Sequence, residues 1–341
     1  MRKRLFLIFL CVALLMIIPG CSSQKSDKII MKFGHTLSPT HSIQLSAEYF
    51  AKRMEELTDG RVEVQIFPSG QLGGEREQLE SLMAGGHDFH MGTQAPLINW
   101  TPEFAVLDLP YLINSEQEAD LLLNGKVGKA LLDLLPDYGL YGLGWGENGF
   151  REITSNKRPI KSPEDFGGML IRTMENKIMM DTFELWGANP TPMAITEVYT
   201  ALQQGTVDGQ ENPASLIEVQ KFHEVQDYMS ISDHFYSPFI FYASKIKMDS
   251  WPEDIQEAVR IAAAETCEYQ RKLAREQNAQ AIINIGESGT ELYYFTEEDK
   301  AKWLESAKPI YEKYYDYIGK DIVDLTMQEL ERIRAELSEQ K

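Results

Sequence analysis

Cysteine and positive charge are both scarce in this chain. Three cysteines stand among 341 residues, too few to staple so long a sequence. None forms a CxxC pair, which excludes a disulfide framework, a thiol redox motif and a thiolate metal site. Lysine and arginine number 33 against 52 aspartates and glutamates, a formal charge of -19. A phosphate backbone needs clustered cations to displace its counterions, so nucleic acid is excluded as a partner. The chain also lacks the phosphate-loop pattern, HExxH and the GxSxG elbow, so no cofactor is expected and no catalytic residue is assigned. His87 and His90 stand alone, three apart, and read as surface or supporting groups rather than a metal pair. With 52 acids, some carboxylates fall close together by chance, and abundance does not make a glycosidase. The expectation is a protein that is not an enzyme.

What is present begins at the amino terminus. Arg2, Lys3 and Arg4 precede fourteen apolar residues, Leu5 to Ile18, and then Pro19-Gly20-Cys21. A basic start, a short apolar run and a small residue before the cut describe a secretory signal over 1–20. As a helix the run would rise only about 21 Å, short for a bilayer. Ile18-Pro19-Gly20-Cys21 is similar to the bacterial lipobox, with Pro19 unusual in its place, and that likeness implies membrane attachment through lipid on Cys21. Residues 21–28 then form a polar tether. Removal of 1–20, with three basic residues and no acidic one, takes the formal charge from -19 to -22. The expected location is extracytoplasmic, in the periplasm or on the outer face of the cytoplasmic membrane. Cys267 is left alone in a helical pattern, as a buried packing residue.

The length predicts two domains. Ile29–Phe33 alternates as a strand, Ile43–Leu57 is amphipathic, Val62–Ile66 alternates again, and Glu75–Met83 is helical. This strand–helix rhythm predicts an α/β chain with a parallel sheet and helices on both faces. Leu140–Trp145 reads as a strand, with 149–153 extended beyond it. Ser162 and Thr296 each stand three residues before an aspartate, as helix caps do. Residues 252–285 predict one long helix, and 326–340 a charged helix with Leu330, Ile333 and Leu337 on one stripe.

Open parallel sheets hold ligands beyond the carboxyl ends of their strands. Arg151, Arg172, Asn212 and His35 all follow predicted strands. Two guanidiniums with an amide suit a carboxylate, since each guanidinium forks both oxygens. Each residue has a plainer reading: Arg172 paired with Asp165 or Glu175, Arg151 with Glu152, and Asn212 as a turn residue before Pro213.

These residues lie in stretches that resemble a known family. Phe150–Ser155, Gly168–Arg172, Leu107–Tyr111, and above all Gly187–Ala194 running on through Glu197-Val198-Tyr199 and Ala201–Pro213 resemble the solute-binding proteins of tripartite ATP-independent periplasmic (TRAP) transporters. The branch is the dicarboxylate-binding one called DctP, and the likeness covers residues 29 to 320. It implies a two-lobed, periplasmic-binding-protein-like α/β fold, each lobe a sheet flanked by helices, with a long helix spanning both. Implied boundaries are 29–148 plus about 237–276 for one lobe, 149–236 plus about 277–320 for the other, and 321–341 for a C-terminal helix. The implied function is binding of an organic acid by cleft closure and delivery to a sodium-coupled TRAP membrane permease. Arg172 matches the family's carboxylate arginine, Arg151 the second arginine of sugar-acid binders, and Asn212 the supporting amide. His35 and Glu75 fall where ligand hydroxyls are met, with Gln94 and Asn148 as further contacts. Ile195 replaces an aromatic found in relatives, so another wall is expected from Trp145, Phe239 or Tyr242. The hydroxyl-seeking groups favour a hexuronate or related sugar acid over a C4-dicarboxylate. The chain is expected to be a monomer, although the C-terminal stripe permits a dimer. Rival readings are a sensor-kinase-coupled binding subunit, an extracytoplasmic enzyme on acidic sugars, and a structural lipoprotein.

Overall fold

The computed structural model describes residues 28–339. The signal segment, Cys21 and residues 21–27 of the tether lie outside the described residues. From the amino end the chain runs through β1 (Ile29–Gly34), α1 (Ser42–Leu57), β2 (Val62–Phe67), α2 (Glu75–Met83) and β3 (Phe89–Thr93). Two 3₁₀ turns, Ala95–Asn99 and Pro102–Asp108, lead to α3 (Glu116–Leu123), α4 (Lys126–Leu132) and the long β4 (Leu140–Ser155). Next come β5 (Leu170–Thr173), α5 (Lys177–Leu185), β6 (Asn189–Pro192), α6 (Ile195–Gln203), β7 (Gly209–Asn212), α7 (Ala214–Val219) and β8 (Tyr228–Ser244). The last part holds α8 (Lys245–Ser250), α9 (Glu253–Glu287), β9 (Glu291–Tyr294), α10 (Glu297–Ile318) and α11 (Lys320–Glu339).

The sheet order is β2-β1-β3-β8-β4-β7-β5-β6, with β9 beside β8. It is mixed rather than parallel. β1, β2 and β3 are parallel to one another, as are β5, β6 and β7, and these two groups form the sheets of two lobes. The long antiparallel pair β4 and β8 joins them. The strand–helix rhythm identifies the parallel groups. Of the joining pair, the sequence reads β4 in two extended pieces, which the structure makes one strand, and does not read β8.

The glycines of β4 have a physical reason. A Cβ on Gly144 would stand 3.0 Å from Cys267 Sγ, and one on Gly146 would stand 2.7 Å from Gln270 Oε1. Their absence lets α9 lie directly on β4, where Gln270 accepts the Glu147 N–H at 2.7 Å. α9 runs 35 residues and packs on α1, β4 and α7, so it spans both lobes as expected. Register shifts at Gly142/Gly144, Glu147/Gly149 and Arg151/Ile153 bend the ladder.

Capping boxes form at Ser162–Asp165 and Thr296–Asp299, as the spacing predicts. The C-terminal helix starts earlier than its charged stripe indicates. Gly319, at φ 107°, breaks the chain after α10, and Ile322, Val323 and Thr326 are already buried. Leu330 and Ile333 are buried in the cluster that also holds Leu122, Val127, Tyr314 and Ile318. The stripe is therefore largely covered by its own chain, Leu337 only in part, which leaves it little apolar face for a second copy.

Candidate functional site

Between the two parallel groups of strands lies a cleft of about 730 Å³, part of it open to solvent. From the β1–β3 side it is lined by Thr36, Glu75, Arg76 and Thr93; from the β5–β7 side by Arg172, Met174, Glu175, Met193, Ile195 and Asn212. Asn148 and Phe239 come from the joining strands.

Arg172 sits inside β5, not after it, and is 2 % exposed. Its Nε and Nη2 both donate to the Met193 carbonyl, at 3.1 and 2.8 Å. The Met193 N–H in turn donates to Thr173 O at 3.3 Å, so β5 fixes the peptide that fixes its own arginine. Nη1 has no hydrogen-bond partner among the described residues. Arg172 pairs with neither suggested carboxylate: Asp165 is bonded at the Ser162 cap, and Glu175 lies 4.0 Å from Arg76. Burial brings the Arg172 guanidinium down to about 10, which still leaves it charged at neutral pH. A buried cation with no carboxylate partner among the described residues is a strong pull on an anion.

Arg151 has a different environment. It lies within β4 rather than beyond it, fully buried, opposite Phe235 of β8. Its Nε donates to Glu211 Oε2. Nη2 donates to Glu211 Oε1 at 2.8 Å, to the Glu211 carbonyl at 2.7 Å and to Asn212 Oδ1 at 3.0 Å. Glu152, its sequence neighbour, instead accepts the Ser232 and Asp233 N–H groups. Burial pushes the Glu211 carboxyl up, yet Arg151 overrides this and holds it down at about 2. His234 Nε2 stands 3.5 Å from the same carboxylate. Arg151 does not line the cleft; it orients Asn212, which does. Asn212 Nδ2 donates to Gln210 Oε1, so its amide is held from both ends.

Of the other expected contacts, Glu75, Asn148 and Phe239 line the cleft. Glu75, first in α2, accepts the Thr93 N–H at 3.0 Å and its hydroxyl at 2.7 Å. Asn148 Oδ1 is buried without a partner among the described residues. His35, Gln94, Trp145 and Tyr242 are off the wall. His35 bonds Gln44 at 2.8 Å, and Gln94 donates to Asp108 at 2.8 Å. Trp145 packs against Phe104. Tyr242 donates to Thr93 O at 3.0 Å and stacks on His90. His87 and His90 are buried rather than on the surface, and burial takes them down to about 4 and about 3. Among the described residues no cluster of three or more His, Cys, Asp or Glu could hold a metal ion.

Glu211, Met193 and Asp108 were not picked out by the sequence as site residues. Glu211 had one available signal, its place beside Asn212 on a strand that could face Arg151.

The model of the bacterial extracellular solute-binding protein family 7, DctP, matches residues 33–317. A solute-binding protein of Verminephrobacter eiseniae is 36% identical over 276 residues, 81% of this chain and 82% of its own. Among solved structures, the sugar acid binding protein DctPAm of Advenella mimigardefordensis, in complex with galactonate, is 38% identical with a TM-score of 0.88, covering 90% of this chain and 99% of that one. A TRAP periplasmic solute binding protein of Sulfurospirillum deleyianum with bound succinate is 34% identical with a TM-score of 0.85, covering 88% and 98%.

Proposed function

The chain belongs to the DctP family of TRAP transporter solute-binding proteins, and on that footing we propose that its cleft takes a sugar acid, a hexuronate or a related hydroxylated monocarboxylate. The coarser function is that of an extracytoplasmic binding protein for a small organic acid that works with a TRAP membrane permease, not an enzyme. The observation that carries the finer reading is the charge around the cleft. Among the described residues one buried guanidinium on the cleft, Arg172, has a free Nη1, while Glu75, Glu77 and Glu175 line the remaining wall with only exposed Arg76 against them. A single carboxylate satisfies Arg172. The ligand's far end then meets acceptors, which suit hydroxyls and repel a second carboxylate.

In this reading Arg172 holds the carboxylate, Asn212 supports it, and Arg151 acts from behind through Asn212. Glu75 and Asn148 accept hydroxyls, and Phe239 with Ile195 supplies the apolar wall. Closure brings together the lobes 29–148 plus about 237–276 and 149–236 plus about 277–320, with Arg76 and Glu175 meeting at 4.0 Å. Attachment to the membrane through lipid on Cys21 completes the proposal, and mass spectrometry of the exported protein tests it.

A C4-dicarboxylate is the second reading. Arg76 favours it as another cation on the cleft wall, and the Sulfurospirillum relative holds succinate. A thermal-shift screen of D-glucuronate, D-galacturonate, D-galactonate, succinate and malate separates the two, because a ligand that binds only the folded state raises the midpoint. Shifts with the sugar acids and none with succinate are expected. A shift with succinate alone would overturn the finer reading.

A further inference from the structure

Asp108 ends the 3₁₀ turn Pro102–Asp108 and is 2 % exposed. Its Oδ1 accepts Gln94 Nε2 at 2.8 Å, and its Oδ2 accepts Asn176 Nδ2 at 2.6 Å. Both amides are buried as deeply. No cation pairs with Asp108 among the described residues, so these two donors are what hold the carboxylate.

The donors come from different lobes. Gln94 follows β3, and its neighbours Thr93, Ala95 and Pro96 line the cleft; Asn176 follows β5, and its neighbours Met174 and Glu175 line the cleft. Three strands, β8, β4 and β7, separate β3 from β5 in the sheet. Asn176 also starts α5, its Oδ1 accepting the Met179 N–H at 3.1 Å. Among the described residues the Gln94 Oε1 has no partner, so Asp108 alone orients that amide.

We propose that Asp108 is a positioning residue of the cleft, a buried carboxylate that ties a wall of one lobe to a wall of the other. It touches no ligand; it fixes the distance between the groups that do. In water such a bridge would exchange its partners freely. With all three side chains buried, the donors have no competing acceptor, and leaving one unpaired is costly. Burial is the largest influence on the Asp108 carboxyl and raises it, and it stands at about 7 even with the Asn176 bond, the more distant Arg151 charge and the Gln94 bond drawing it down. The inference rests on the reading of this cleft as an organic-acid site only for its binding readout.

The test removes the acceptors and then restores the bridge without its charge. Asp108→Leu deletes both accepting oxygens at similar volume. Asp108→Asn keeps an oxygen for Asn176 and turns its amide toward Gln94, whose own oxygen can rotate to accept it, so both bonds re-form. Calorimetry with D-galacturonate and D-galactonate should give a Kd raised about ten-fold in Asp108→Leu and held within about three-fold of the unmodified protein in Asp108→Asn. Hydrogen exchange without ligand provides a second readout: amides of 174–180 should exchange faster in Asp108→Leu, although the substitution lies elsewhere, and slowly again in Asp108→Asn. An Asp108→Asn protein that exchanges as fast as Asp108→Leu overturns the inference, as does an exchange increase confined to 102–108. Failure of both acids to bind the unmodified protein would count against the cleft reading, and exchange alone would then decide Asp108.

Discussion

Arg172 donates twice to the carbonyl oxygen of Met193, through Nε at 3.1 Å and Nη2 at 2.8 Å. The fork that normally grips a carboxylate is half engaged before any ligand arrives, and the guanidinium is fixed in one orientation. A pre-set orientation lowers the ordering cost that binding would otherwise carry. Arg172→Ala should weaken binding of the organic acid by at least about 30-fold, and Arg172→Lys, which keeps charge but loses the fork, by about ten-fold. Calorimetry measures both. The ligand-free melting point of Arg172→Ala should not fall, because a buried cation without a counter-ion has been removed.

Glu211 behaves in the opposite way, since it exists to neutralise Arg151. Glu211→Gln should cost about 3–5 kcal/mol of stability at neutral pH by stranding a buried charge, read from urea melts. The pH dependence follows from the carboxyl's descent from 4.5 to about 2 on folding. The folded state binds the proton less well than the unfolded chain. Its contribution is therefore complete above pH 4.5 and lost as pH falls toward 2, and Glu211→Gln should lose that part of the acid sensitivity.

Specificity should respond to Glu75. Its oxygens already accept from Thr93, and the carboxylate lines the cleft. Glu75→Gln should weaken sugar-acid binding about ten-fold while improving succinate. Competition calorimetry checks the pair of ligands, and an equal loss for both would leave Glu75 with a structural role only.

At the carboxyl end, Leu330 is buried within its own chain. Leu330→Ala should destabilise the protein by about 2–5 kcal/mol through lost burial and a cavity, seen in thermal melts. Sedimentation should give the same monomeric mass for both proteins. A mass halved by the substitution would restore the stripe as a dimer contact.

Local chemistry was legible in the sequence wherever neighbours decide the outcome. The two capping boxes, the long helix and the strand carrying Arg172 are of this kind. Contacts that depend on register were not. Arg151 and Glu211 lie sixty residues apart, and only the antiparallel pairing of β4 with β7, Ile153 opposite Glu211, brings them together. Even so, one misplaced residue could have been sorted by parity. Phe239 and Tyr242 are three apart in a regular stretch of β8, opposite Thr93 and His90, so they project from opposite faces of the sheet and cannot both face one cleft. Trp145 was harder, since bulges on either side of it reset the alternation.

Cys267, pressed against Gly144, has a practical consequence for measuring lobe motion. Among the described residues it is the free thiol, 3 % exposed, and burial pushes it up to about 12. A thiol so rarely ionised is a poor nucleophile toward maleimides. In protein that begins after the tether, cysteines placed one on each lobe would take fluorophores while the native one stays silent. The distance between the dyes would then report opening and closing in an otherwise unaltered chain.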